Sequence, residues 1–85
     1  MLGGNAMSRK VYVDVAAAFD TEGNIIPMYI KWEDESTYYI DRVLDVRPAA
    51  SLKAGGSGIR YTCRIMGKET YLFLEQNRWF VEGKN

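Results

Sequence analysis

Apolar and polar residues alternate with period two along most of this chain, in short runs separated by turn chemistry, and half-buried β-strands satisfy that pattern. In "KVYVDVAAAF" the alternation sets Val11, Val13, Val15, Ala17 and Phe19 on one face, against Tyr12, Asp14, Ala16 and Ala18. "DTEGN" follows, with Gly23 and Asn24 free to take positive φ. "IIPMYIKW" resumes the alternation, with Ile26, Met28, Ile30 and Trp32 set against Ile25, Pro27, Tyr29 and Lys31. Pro27 donates no ladder hydrogen bond, so it belongs at an edge, a bulge or the start of a strand.

The phase is less regular in "TYYIDRVLDVR". Tyr38, Ile40, Leu44 and Val46 fit one face while Val43 falls on the other, which predicts a β-bulge near residues 41–43 or burial of both faces. Ile40, Val43 and Leu44 also stand at helical spacing. The β-branched and aromatic flanks, with Pro48 behind, favour a strand. "IRYTCRIM" is the clearest strand, with Ile59, Tyr61, Cys63 and Ile65 inward and Arg60, Thr62, Arg64 and Met66 outward. "GK" reads as a tight hairpin with Gly67 at the turn, and "ETYLFLE", "QNR" and "WFVEG" complete the chain. The expected fold is all-β: a small five- to six-stranded antiparallel barrel or strongly curled sheet, built as two three-stranded meanders. Residues 1–9 read as a flexible tail, 10–82 as one β domain and 83–85 as a second tail.

At 85 residues there is room for one core only, and a chain this short removes only about 60% of its unfolded surface on folding. Eleven basic and eleven acidic residues balance, which argues against a large positive field. Their distribution is uneven. Residues 36–68 hold Arg42, Arg47, Lys53, Arg60, Arg64 and Lys68 against Asp41 and Asp45, a local excess of +4. Cys63 has no partner for an intramolecular disulfide, and no run approaches the roughly 18–20 apolar residues of a membrane helix. The N-terminus has no secretory apolar region, so a cytoplasmic location is expected. Met1 and Met7 both offer a start, and the glycine pair between them, which a translated ribosome-binding site would encode, favours Met7.

Catalytic chemistry is sparse. Histidine is absent, which removes the commonest neutral-pH base and a frequent metal ligand, and a Cys- or His-based metal site is excluded with it. Cys63 shares the face of Ile59, Tyr61 and Ile65 and reads as a buried, inert thiol. Asp41 and Asp45 stand beside Arg42 and Arg47, and Glu33 to Glu35 lie in a turn, so solvated ion pairs account for them. No enzyme and no cofactor are expected. The stretch "VRPAASLKAGGSGIRY" holds Gly55, Gly56 and Gly58 with Arg47, Lys53 and Arg60 and no acid. It lacks the GxxxxGK[ST] spacing and a following helix, so it is not a P-loop. A small anion nest on its glycines and a plain connector between two meanders (48–58) both stay open, and the connector is favoured.

Eleven aromatics are many for this length, and a small domain needs large side chains for its core. Phe19, Trp32, Tyr38, Tyr61, Tyr71, Phe73, Trp79 and Phe80 are expected there. Tyr12, Tyr29 and Tyr39 fall on the opposite faces. Exposed aromatics near Arg60 and Arg64 are what single-stranded nucleic-acid binders use for base stacking, and equally what a dimer interface uses.

The order of strands, with Gly23, Trp32, Tyr39, Val43, Leu44, Arg60, Tyr61, Arg64, Tyr71 and Trp79 at their places in it, resembles a bacterial family of small uncharacterised β proteins. It is also similar to the small domain of unknown function found alone or beside Y-family lesion-bypass DNA polymerases. The similarity runs from about residue 11 to 81 and implies the β fold. Those polymerase-associated domains carry Trp- and Arg-rich sequence where this chain has "PAASLKAGGSG", and the resemblance assigns no activity.

Two functions follow as expectations. One is a non-catalytic module that contacts single-stranded nucleic acid through Arg42, Arg47, Lys53, Arg60, Arg64 and Lys68, with Tyr12, Tyr29 or Tyr39 for stacking. The other is a protein–protein or homodimerisation domain that pairs an edge strand or buries tyrosines and has no nucleic-acid role. Neither involves a membrane.

Overall fold

A computed structural model of the chain describes residues 8–49 and 58–84. The tail ahead of Ser8, the start-site question and Lys53 lie outside them, as does most of the 48–58 stretch. Seven strands form: β1 (Ser8–Phe19), β2 (Ile25–Lys31), β3 (Thr37–Tyr39), β4 (Arg42–Pro48), β5 (Ile59–Ile65), β6 (Lys68–Glu75) and β7 (Arg78–Lys84). They make one antiparallel sheet in the order β3-β2-β1-β7-β6-β5-β4.

The sheet curls until its two end strands meet end to end, because β3 and β4 are consecutive in the chain. At their junction Ile40 N–H donates to the Met28 carbonyl (3.0 Å) and Asp41 N–H to the Arg64 carbonyl (2.8 Å), so one ladder hands over to the other. The run read as a single strand, "TYYIDRVLDVR", is therefore broken at Ile40 and Asp41. This is why seven strands stand where five or six were expected. The meanders differ as well: β1 to β3 form one of three strands, and β4 to β7 form one of four. The glycine-rich stretch joins β4 to β5, which pair with each other, so it closes a hairpin within one meander and does not link two. Ala49 N–H donates to the Gly58 carbonyl (2.9 Å) at its base.

Two register shifts reset the alternation. In β2 the ladder passes from Ala16↔Tyr29 to Ala17↔Pro27, leaving Met28 as the extra residue. Pro27, which has no N–H to give, is buried beside this bulge, and Ile26 and Met28 turn outward with 40% and 53% exposure. The inward set in β2 is thus Ile25, Pro27 and Ile30, followed by Trp32 just beyond the strand, a correction to the strict alternation. In β4 the shift lies between Val43 and Asp45, one step beyond the expected position, so Val43 and Val46 face in and Leu44 turns out.

The core lies inside the curl, where Ile30, Tyr61, Cys63, Ile65 and Leu72 are buried and Val13, Val15, Trp32, Tyr38, Ile40, Val43, Ile59, Leu74, Trp79 and Val81 pack around them. Tyr61 is buried, and its hydroxyl donates to the Ile25 carbonyl (2.7 Å), tying β5 to β2 across the interior. Cys63 is fully buried, and burial pushes its thiol up to about 11, so it stays protonated near neutral pH. Phe19 and Tyr71 depart from the expected core, at 73% and 45% exposure: Phe19 ends its strand, and Tyr71 stands on the outer face opposite Thr62.

The β5–β6 and β6–β7 hairpins each turn on two residues of positive φ, Met66 and Gly67 (52° and 78°) and Gln76 and Asn77 (52° and 64°), the signature of type I′ turns. Met66 occupies the left-handed region without the local hydrogen-bonding that favours Asn there, and it is 74% exposed. Met66→Asn is therefore expected to raise stability by about 1 kcal/mol, read as a higher urea midpoint at unchanged slope. A lower midpoint would refute the turn assignment.

Candidate functional site

The outer face of β4, β5 and β6 carries rows of side chains set by the ladders. Arg42 stands directly opposite Arg64, and Arg47 directly opposite Arg60, with Asp45 opposite Thr62 between them. Four residues separate Arg60 from Arg64, so the two arginine rows lie about 13 Å apart along the strand. Like charges directly opposite on one face destabilise a sheet. The bulge at Leu44 produces this arrangement: without the extra residue, Arg42 and Arg47 would fall on opposite faces.

Each arginine has a different environment. The Arg47 Nε donates to Asp45 Oδ2 (2.7 Å), and that contact holds the Asp45 carboxyl below its usual range and raises the guanidinium. The Arg60 guanidinium lies over the Tyr71 ring, 4.6 Å from its centre, while its Nε is buried with no hydrogen-bond partner among the described residues. Arg42 and Arg64 are exposed, and neither is in an ion pair among the described residues. Lys68 is exposed at the start of β6 opposite Ile65, one residue from the Arg42 and Arg64 row, which continues across the ladder to Glu69 directly opposite Arg64.

The row of Arg47 and Arg60 continues across the sheet as Phe73, Phe80 and Tyr12. Phe73 and Phe80 are buried although they face outward, stacked at 5.1 Å with their planes 8° apart. Tyr71 meets Phe73 edge-on, Tyr12 meets Phe80 edge-on, and the Lys10 ammonium sits 4.9 Å from the centre of Phe80 while bonded to Glu75 (2.6 Å). These two phenylalanines form a second small apolar cluster outside the sheet, separate from the core in which they were expected.

The candidate residues therefore do not gather at one place. Arg47 and Arg60 share one row and Arg42 and Arg64 another. Tyr29 and Tyr39 form a cross-strand pair, with ring centres 5.4 Å apart, just before the junction that leads to Arg42. Tyr39 is 67% exposed and Tyr29 half-buried. Tyr12 is three strands from β5, about 14 Å at normal strand spacing, and the Arg78 guanidinium already covers its ring at 3.5 Å. Tyr71 was missed by the alternation argument: "ETYLFLE" is apolar on both faces, and only its pairing with Thr62 shows which way the ring points.

Two recesses open at the ends of the curl. One of about 290 Å³ is lined by Ile25, Pro27, Val43, Val46, Ile59 and Tyr61, and one of about 310 Å³ by Ile30, Trp32, Tyr38, Ile65, Thr70 and Val81, among others. In the first the Tyr61 hydroxyl is already spent on Ile25, and the second has Thr70 and Glu82 among its lining. Among the described residues no group of three or more Cys, Asp or Glu is placed to hold a metal ion, and no helix is long and apolar enough to cross a membrane. The chain matches no protein-family model, no curated protein and no solved structure.

Proposed function

We propose that this protein is a non-catalytic, cytoplasmic binding module whose outer β4–β6 face contacts the phosphate backbone of single-stranded nucleic acid. The observation that carries the reading is the ladder register that sets Arg42 directly opposite Arg64 and Arg47 directly opposite Arg60. A sheet that sets like charges opposite each other gives up stability, and a bound polyanion offsets that cost. Arginine suits the role because its planar fork donates bidentate hydrogen bonds to phosphate. Tyr71, held under Arg60, and the exposed Tyr39, three residues before β4, supply π-faces for the same strand face. The sequence's resemblance to the polymerase-associated small domain enters this proposal as regards fold alone.

The test is fluorescence anisotropy with a labelled mixed-sequence single-stranded oligonucleotide across a salt series. Affinity is expected to fall steeply with salt. Arg60→Ala with Arg64→Ala should weaken binding at least tenfold and flatten the log–log salt slope by about 1.4, two phosphates' worth for a single strand. Unchanged affinity and slope in that variant would reject the face.

A further inference from the structure

Beyond Val13↔Trp79, where its pairing with β7 ends, β1 runs on to Phe19 with β2 and β3 beside it. The outer face of this three-stranded ribbon holds Ala16, Tyr29 and Tyr39 in one row and Ala18 with Ile26 in another. The bulge in β2 turns Met28 outward between the rows, 53% exposed. Tyr39 is the most exposed of the outer tyrosines, at 67% against 42% for Tyr12 and 45% for Tyr71. Those two rings are covered by Arg78 and Arg60, whereas no cation lies over Tyr39 among the described residues. The junction of β3 and β4 joins this apolar patch to the arginine rows. There the Ile40 N–H reaches the Met28 carbonyl and the Asp41 N–H the Arg64 carbonyl. Three residues take the chain from Tyr39 to Arg42, a span of at most about 11 Å.

Resting on the reading of the arginine face as a phosphate contact, we infer that Tyr39, backed by Tyr29 and Met28, is a base-stacking platform that sets a preference for single over double strands. Phosphates are common to single strands and duplexes, so the arginine rows by themselves do not separate the two. An unpaired base is free to lay its face on an aromatic ring, whereas a base inside a duplex is already stacked on its neighbours. Asp41 is exposed at the junction between Tyr39 and Arg42, and its charge disfavours phosphate there. A strand whose phosphates lie on Arg42 and Arg64 therefore meets the patch with its bases. Tyr29 holds the Tyr39 ring at 5.4 Å between centres and leaves it largely exposed, a supported surface for stacking. The Met28 thioether, flexible and polarisable, adapts to an aromatic group laid beside it.

The test is anisotropy of the full chain with one labelled mixed-sequence oligonucleotide, as a single strand and as its duplex, across a salt series, with light scattering in the same buffers. The wild type should bind the single strand at least about tenfold more tightly than the duplex. Tyr39→Ala should lower single-strand affinity at least about fivefold and leave the duplex affinity and the salt slope unchanged. Tyr39→Leu, apolar but without a π-face, should lose as much, and Tyr39→Phe should bind as the wild type does. If Arg60→Ala with Arg64→Ala weakens binding while Tyr39→Ala does not, the arginine face stands and the platform is refuted. Equal loss on single strand and duplex in Tyr39→Ala, with the fold intact by circular dichroism, refutes the platform too. Absence of salt-dependent binding in the wild type removes both the face and the platform. A wild-type dimer that Tyr39→Ala dissociates would assign the patch to a second copy and overturn the inference.

Discussion

Phe80→Ala is expected to remove about 3–5 kcal/mol of stability, as deletion of a buried aromatic ring does. At roughly 0.05–0.15 kcal/mol per residue the whole domain holds only about 4–13 kcal/mol, so the variant should lose from about a quarter of its stability to all of it. The size of the effect is not evident from the ring's direction, since Phe80 points away from the core. Its burial comes from company: Phe73 stacked on one side, Tyr12 edge-on, and the Lys10 ammonium near its centre. The ring is only 1% exposed. Chemical denaturation followed by tryptophan fluorescence, with Phe80→Leu as a volume-sparing control, measures the loss. A cost below about 1.5 kcal/mol would mean that the outer cluster is not packed, and the surface proposed for nucleic acid would lose its rigid backing.

Leu72→Ala, in β6 and on the other face of the sheet, should cost about 2–5 kcal/mol. Leu72 is fully buried opposite Tyr61, in the cluster that also holds Ile30, Cys63 and Ile65. These residues come from β2, β5 and β6, so the side chain fills space that only the curl of the sheet encloses. If the sheet lay open, Leu72 would face water and its truncation would cost little. Urea midpoints for Leu72→Ala and Leu72→Met separate the two cases, because a closed core tolerates Met and not Ala. Equal, small losses in both variants would refute the closed interior.

The two variants also mark where the alternation of residue types stops being informative. "IRYTCRI" reads correctly from its own sequence, since apolar side chains on one face and arginines on the other leave a single choice. "ETYLFLE" offers two apolar faces, and here both are buried for different reasons: Leu72 in the core, Phe73 under an outer aromatic cluster. A bulge is visible as a break in phase, and one was expected in β4. Its exact residue is set by which carbonyls the neighbouring strand presents, so Leu44, and with it the face of Val43, was not legible. In β2 the strict alternation of Ile26, Met28, Ile30 and Trp32 looked unbroken, and Pro27 was the only sign of the shift.

For the candidate site, the outward phase of Arg60 and Arg64 was readable, and so was the concentration of basic residues between 36 and 68. The opposition of Arg42 with Arg64 and of Arg47 with Arg60 was not. It depends on the register between β4 and β5, which the bulge moves by one residue. Arg78 over Tyr12 and Arg60 over Tyr71 likewise join residues far apart in the chain.

By itself, then, the amino-acid order determined an all-β chain, the inward faces of β1 and β5, the turn at Gly67 and the buried thiol of Cys63. These follow from local chemistry: period-two alternation, backbone freedom at glycine, and the absence of a second cysteine. Tertiary structure alone decided that the third strand breaks at Ile40 and Asp41, that β4 pairs with β5, that two phenylalanines are buried outside the core, and that β1 outruns β7. The physical reason is common to all four. Each depends on a ladder partner distant in the chain, and hydrogen bonding between strands is indifferent to the side-chain pattern that makes a strand recognisable.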